Sequence, residues 1–295
     1  MAIVRQDKPL FGVAGFPVNF FTSPIGKNRD NIFKWLNDLG LNILELQCTY
    51  GIRMCDEQAI RYKKLAAENG ILLTIHAPYY VNLGSKNMQT VENSKKEIIK
   101  AFKLANLIGA SRIVFHPGGG HGKTAENRVE GINQIITSLN EIKTEINTEN
   151  TKIYPEIGGK VSSLGNLDEI IKICQNVDYA YPCIDLAHLH ARENGGMCSK
   201  DKIIKVLDKI ENELGRDGLE NVHFHMYPVD YTVGGEKVHK AFADQNELKN
   251  LYMPLADDFI EAIKHKTLLP LVICEAHNTQ EIGAILMKDL YSSRP

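Results

Sequence analysis

Eight short apolar runs, each followed by a longer amphipathic stretch, constrain this chain more than any other feature. The runs are Phe11–Ala14, Ile43–Leu46, Leu72–Ile75, Arg112–Phe115, Lys152–Pro155, Tyr181–Ile184, Asn221–Phe224 and Leu271–Cys274. Clear helical stretches between them are Arg29–Leu39, Glu57–Asn69, Val91–Ile108, Ala125–Ile146 and Asn246–Ile263, several stopped by a glycine such as Gly40, Gly70 or Gly109. Strand followed by helix, repeated without a linker, is the pattern of βα units around a parallel sheet. A doubly wound open sheet would normally carry GxGxxG after its first strand, and that motif is absent. Gly118-Gly119-Gly120 has neither that spacing nor a GKS or GKT continuation, and reads as a flexible turn. The expectation is one α/β domain over residues 1–295, a (β/α)8 TIM barrel, a fold that routinely takes roughly 250 residues.

A content of 43% hydrophobic and 24% charged residues fits a soluble globular protein with a substantial core. Arg5, Asp7 and Lys8 interrupt the N-terminus, leaving no apolar run for a signal peptide, and no later segment reaches the roughly 18 residues of a membrane span. A cytoplasmic location, no membrane partner and no obligate protein partner are expected. Six scattered cysteines without a CxxC pair read as buried or incidental thiols, free of disulfides. The formal charge of −2 does not advertise a nucleic-acid binder, although a local basic face or bound cations can supply the field that DNA requires.

On a (β/α)8 barrel, reactive residues sit at the carboxyl ends of the strands. Here those ends offer His76, His116, Glu156, Asp185, either His223 or His225, and Glu275. One such histidine alone is more often a hydrogen-bonded structural residue. Six donors in register are another matter, because carboxylates converging on one small mouth repel unless cations neutralise them. Imidazole with carboxylate suits zinc, with manganese or iron as looser fits. A tetrahedral zinc takes about four ligands, so this mouth implies more than one ion, and Glu156 is the natural bridge. His188, His190 and the Glu236-Lys-Val-His239 stretch are further loop donors, whereas His121, His265 and His277 are left out of the site. His223 and His225 share a strand face, about 6–7 Å apart, so periodicity leaves open which binds metal and which supports it.

Together these motifs resemble the endonuclease IV family, the apurinic/apyrimidinic endonucleases of the xylose-isomerase-like barrel group. The resemblance spans nearly the whole chain through His76-Ala-Pro-Tyr79, Phe115-His116-Pro-Gly118, Pro155-Glu156-Ile-Gly158, Cys183-Ile-Asp185-Leu-Ala-His188, Val222-His223 and Ile273-Cys-Glu275. It implies a cluster of three zinc ions, Mn2+ or Fe2+ being possible at some positions. His76, His116 and Glu156 would surround one ion; Glu156, Asp185, His223 and Glu275 the second; His188, Glu236 and His239 the third. By the same resemblance His223 is chosen over His225, Tyr79 positions the opened nucleotide and Arg53 inserts into the DNA stack. The implied activity is hydrolysis of the phosphodiester bond 5′ to abasic sites in damaged double-stranded DNA, by a hydroxide between two ions beside Glu156.

A sugar isomerase or epimerase of the same barrel group, using one divalent ion, would share Glu156, Asp185, His223 and Glu275. It has no evident use for His76, His116, His188 and His239. A non-catalytic DNA-damage binder would not need an intact ligand set.

Overall fold

The computed structural model describes residues 7–119, 124–242 and 253–293. Its strands are β1 (Leu10–Ala14), β2 (Ile43–Gln47), β3 (Leu72–His76), β4 (Arg112–Phe115), β5 (Lys152–Pro155), β6 (Cys183–Asp185), β7 (His223–His225), β8 (Val229–Thr232), β9 (Gly235–His239) and β10 (Leu271–Cys274). All but β8 and β9 form one parallel sheet, ordered β5-β4-β3-β2-β1-β10-β7-β6. Parallel bridges from Ile153 to Ala180 and from Glu156 to Cys183 join its two ends, closing the expected TIM barrel.

Local chemistry explains where elements begin and stop. The helix Met88–Ile108 starts on Asn87, whose side chain accepts from the amides of Gln89 and Thr90, and stops at left-handed Gly109, φ 75°. The helix Leu167–Asn176 starts on a reciprocal Asn166/Glu169 capping box. β6 begins at Cys183 and not at Tyr181, because the intervening Pro182 has no amide hydrogen for the ladder. β7 begins at His223 and not at Asn221: the amides of Asn221 and Val222 still bond to Asp217 and Leu219 of the preceding helix. After β7 the chain adds an antiparallel hairpin of β8 and β9, outside the eight expected runs. The helix expected over Asn246–Ile263 is described as Ala256–His265; residues 243–252 lie outside the described residues.

Strand side chains alternate between two faces. Phe11, Val13, Leu44, Ile75, Ile113, Ile184 and Phe224 face outward into the main core, where they meet Phe102, Ile135 and Phe259 of the helices. The alternate residues fill the lumen in two small apolar groups, one of Leu10, Ala14, Ile43, Leu271 and Ile273, the other of Val114, Tyr154 and Cys183. Also buried on lumen-facing positions are Glu45, Thr74, His223 and His225.

Candidate metal centre at the barrel mouth

The two-residue period that puts Thr74, Tyr154, Cys183 and His223 in the lumen carries His76, Glu156, Asp185 and His225 to its carboxyl-end mouth. Glu156 is fully buried at the middle of this layer. Its Oε2 lies 3.1 Å from His76 Nε2 and 3.3 Å from His116 Nδ1, and its Oε1 lies 2.9 Å from His225 Nδ1. At the mouth, among the described residues, donor atoms within 4.8 Å of one another form three groups: His76, His116, Glu156; then Glu156, Asp185, His225, Glu275; then His188, Glu236, His239. Glu156 belongs to two of them.

His223 is not brought into the second group, and His225 stands in the place the resemblance gave it. Because β7 starts at His223 and its carboxyl end points to the mouth, His223 sits one layer deeper. There its Nε2 is 3.1 Å from Glu45 Oε2. Glu45 itself escaped the strand-end reading because it lies inside β2, two residues before the end; the legible signal was a single carboxylate in Ile-Leu-Glu-Leu.

The third group depends on two local devices. Asp185 caps the helix Leu186–Arg192 by accepting from the His188 amide at 2.7 Å, which fixes that histidine one turn on. Glu236 and His239 sit three apart on β9, a spacing that puts residues on opposite faces of a regular strand. The ladder pairs Asp230 with Val238 and Tyr231 with Glu236, so Lys237 is an extra, bulged residue. The bulge resets the phase, and His239 Nε2 lies 3.0 Å from Glu236 Oε1. Gly159 makes room for the group, since a Cβ there would lie 2.5 Å from Glu236 Oε2 and 2.6 Å from His188 Cδ2.

Three histidines share one hydrogen-bond pattern. Nδ1 of His76 faces the Ala77 carbonyl at 2.9 Å, Nδ1 of His188 the Ile157 carbonyl at 2.9 Å, and Nδ1 of His239 the Glu275 carbonyl at 3.0 Å. A carbonyl only accepts, so each Nδ1 carries the proton and Nε2 is left to face the carboxylates, as in metal-ligating histidines. Tyr227 donates to Asp185 Oδ2 at 3.0 Å and stacks on His239 with ring centroids 4.0 Å apart. Gln47 donates to Glu275 at 3.1 Å. The donor set, its buried carboxylates and this anchoring fit divalent cations of the zinc type.

Without cations these groups neutralise one another. Burial alone would raise Glu156, but His116 and His225 hold it well below the usual carboxylate range. Burial pulls His76 down, and the Glu156 carboxylate overrides it and lifts it to about 9. Burial pushes Asp185 up to about 7 against the pull of His188. Protons thus occupy positions that cations would take, and binding must release them.

Above the groups opens a cavity of ≈ 580 Å³, lined by Tyr79, Tyr80, Asn82, His116, Lys160, His188, Glu236, His239 and Glu275 among others. A larger depression of ≈ 700 Å³ follows one face of the helix Ala125–Ile142 and holds none of the donor groups. Tyr79 is 63% exposed at the lip and packs edge-on against Tyr50 and Tyr80, exposed rings that sequence reasoning missed. Arg53 is exposed in the loop after β2 and does not line the cavity. His190 is buried against Tyr231, apart from the three groups. His265 ends a helix, His277 contacts Asn278, and His121 lies outside the described residues. All six cysteines are free, and among the described residues no helix is long and apolar enough to cross a membrane.

A closed α/β barrel with its titratable side chains gathered at the carboxyl ends of the strands defines a class of barrel enzymes. The family described as xylose isomerase-like TIM barrel matches residues 33–287, and the chain belongs to it. It is 31% identical over 288 residues to Uncharacterized protein MJ0133 of Methanocaldococcus jannaschii, covering 96% of this chain and 97% of that one. It is 24% identical over 278 residues to the Probable endonuclease 4 of Aquifex aeolicus, covering 88% and 93%. Among solved structures, endonuclease IV from Thermus thermophilus shares the fold with a TM-score of 0.64 at 15% identity, over 97% of this chain and 100% of that one. The D-psicose 3-epimerase of Clostridium cellulolyticum does so with a TM-score of 0.67 at 14% identity, over 96% and 98%.

Proposed function

We propose that this protein is a zinc-dependent DNA repair endonuclease that hydrolyses the phosphodiester bond 5′ to abasic sites in double-stranded DNA. The observation that carries the reading is the third donor group, His188, Glu236 and His239, beside two groups that already share Glu156. An isomerase with one divalent ion has no use for it. The likeness to the Probable endonuclease 4 of Aquifex aeolicus supports the same choice. Bound divalent cations would supply activation of water near neutral pH and stabilisation of phosphate charge. Glu156, reaching both central groups, orients their histidines; Asp185, held by Tyr227, ties the second group to the third. The exposed faces of Tyr50, Tyr79 and Tyr80 suit a nucleotide whose pairing is lost, and extrusion is cheapest at such a site.

A duplex carrying an abasic analogue tests this directly. Purified protein should nick it without added magnesium, and prolonged chelation should abolish nicking. Failure of the zinc-loaded protein at high concentration would overturn the reading. The epimerase alternative is favoured by one observation, the equally good overlay on a psicose epimerase. Elemental analysis separates the two: several zinc ions at the mouth support the nuclease, a single manganese the epimerase.

A further inference from the structure

Acids and imidazoles crowd the mouth, and fixed cations there are scarce. Among the described residues that line its cavity, Lys160 is the one lysine or arginine. Two nearby guanidinium groups are turned to the protein itself. Arg192 donates through Nη1 to the carbonyls of Gly158 and Lys160 at 2.6 and 2.7 Å, and through Nη2 to that of Ser163 at 2.7 Å. Arg128 donates to the same Ser163 carbonyl at 2.9 Å and pairs with Glu169.

These bonds fix the loop between β5 and the helix Leu167–Asn176 from one side. From the other, the Val161 amide donates to the Gly234 carbonyl at 3.1 Å and the Glu236 amide to the Gly159 carbonyl at 3.0 Å, which pairs Lys160 with Gly235. The Lys160 backbone is therefore in place before any ligand arrives, and only its side chain remains to be ordered on binding.

The charge of Lys160 is not neutralised. Its Nζ donates to the Glu236 backbone carbonyl at 2.9 Å, a neutral acceptor, and among the described residues it makes no ion pair. The Glu236 carboxylate faces imidazoles instead, Oε1 lying 3.0 Å from His239 and Oε2 3.1 Å from His188. An ammonium carries three N–H donors, so donors remain for a ligand. A solvated surface lysine would account for the exposure, but not for a backbone pinned on both sides at the wall of this cavity. A neutral sugar would gain only a hydrogen bond there, whereas a phosphate gains a hydrogen bond and an opposite charge.

We propose that Lys160 binds a phosphate of the substrate, in the cavity beside the third donor group. That this phosphate belongs to a DNA strand rests on the nuclease reading. With a formal charge of −2 the chain offers DNA little general attraction, so a placed cation counts for more.

Salt dependence reads the contact, because each phosphate neutralised on duplex DNA adds about 0.9 to the slope of log affinity against log salt. In zinc-loaded Lys160→Gln, KM for nicking an abasic duplex should rise roughly tenfold with kcat within about twofold, and the slope of log KM against log salt should fall by about 0.9. Lys160→Arg should restore most of both. Lys172→Gln removes the same charge from an exposed position on the helix Leu167–Asn176, outside the cavity lining, and should match the parent. An unchanged slope in Lys160→Gln, or an equal fall in Lys172→Gln, overturns the proposal. A parent that nicks nothing ends the nuclease reading, and inorganic phosphate titrated calorimetrically into the same zinc-loaded proteins then decides Lys160. Affinity roughly tenfold lower in Lys160→Gln alone assigns the contact to a small phosphate ester. Equal affinity in all of them overturns the proposal there as well.

Discussion

The outward and inward faces of the same barrel strands make opposite use of one backbone. Outward, Phe11, Leu44, Ile113, Ile184 and Phe224 belong to a continuous apolar core shared with the helices. Inward, apolar side chains fall into two small groups, and Glu45, Thr74, His223 and His225 are buried on the same inward face. Neighbours in sequence therefore differ in kind: Ile184 contributes apolar burial, and Cys183 and Asp185 on either side of it belong to donor groups. Apolar burial is concentrated outward and the candidate donor groups lie inward, so the two should be separable by substitution.

The largest separation is expected at Glu156. Glu156→Gln keeps its shape but removes the charge that serves two donor groups, so zinc content should fall and single-turnover cleavage should drop by several orders of magnitude. His116→Ala, touching one group, should be milder. Full zinc content and near-parental turnover in Glu156→Gln would remove its bridging role.

A smaller and more local effect is expected from Gly159→Ala. The new methyl meets Glu236 and His188, so the third group should lose metal affinity by roughly 10–100-fold while the other two hold theirs. Competition titration with a metal indicator resolves this; uniform weakening of every site would mean that the loop, and not the group, had moved.

Acidity gives a graded test. His76, raised to about 9 from an ordinary 6.5, stabilises the metal-free fold fully below pH 6.5 and loses that contribution as pH rises through 9. Asp185, raised to about 7 from 3.8, holds a proton that the unfolded chain has released, so stability also declines as pH approaches 7. Chelated protein should therefore melt at lower temperature as pH rises from 6.5 to 9. Added zinc, no longer competing with protons, should raise the Tm by more at each step. A zinc-induced shift that shrinks with pH would contradict the assignment of His76 to a metal.

The outward face supplies the smallest effect. Ile184→Val should cost about 0.5–1.5 kcal/mol in denaturant unfolding and leave metal content and cleavage untouched. Tyr79→Ala should do the reverse, weakening DNA binding with little change in melting temperature, because its ring is exposed at the lip. Altered metal content in Ile184→Val, or a large stability loss in Tyr79→Ala, would blur the division between the faces.

Most of the barrel was legible because four-residue apolar runs and glycine stops fix strands and turns locally. The mouth was legible wherever a strand ended on a donor, as at His76, Glu156 and Glu275. It failed at β7, because the choice between His223 and His225 depends on where the ladder begins, and Asn221 still caps the helix before it. Glu236 and His239 carried a misleading spacing, since the bulge at Lys237 exists only as a pairing with β8. Glu45 was passed over because its one signal, a lone carboxylate inside the apolar run of β2, says nothing of the distant strand β7 on which it closes.

The hairpin of β8 and β9 has a consequence for how such a protein changes over time. His76, Glu156 and Asp185 are written into the staves of the barrel, where adding or deleting a residue shifts everything above it. Glu236 and His239 ride on a separate hairpin, joined to the rest by backbone bridges from Lys160 to Gly235 and from Val229 to Met253 and by the Glu236 amide donating to the Gly159 carbonyl. One insertion or excision between two staves therefore adds or removes two of the three members of the third donor group, Glu236 and His239, while His188 and the other groups stay in place. The number of donors at such a mouth is thus a trait that evolution can revise in a single event.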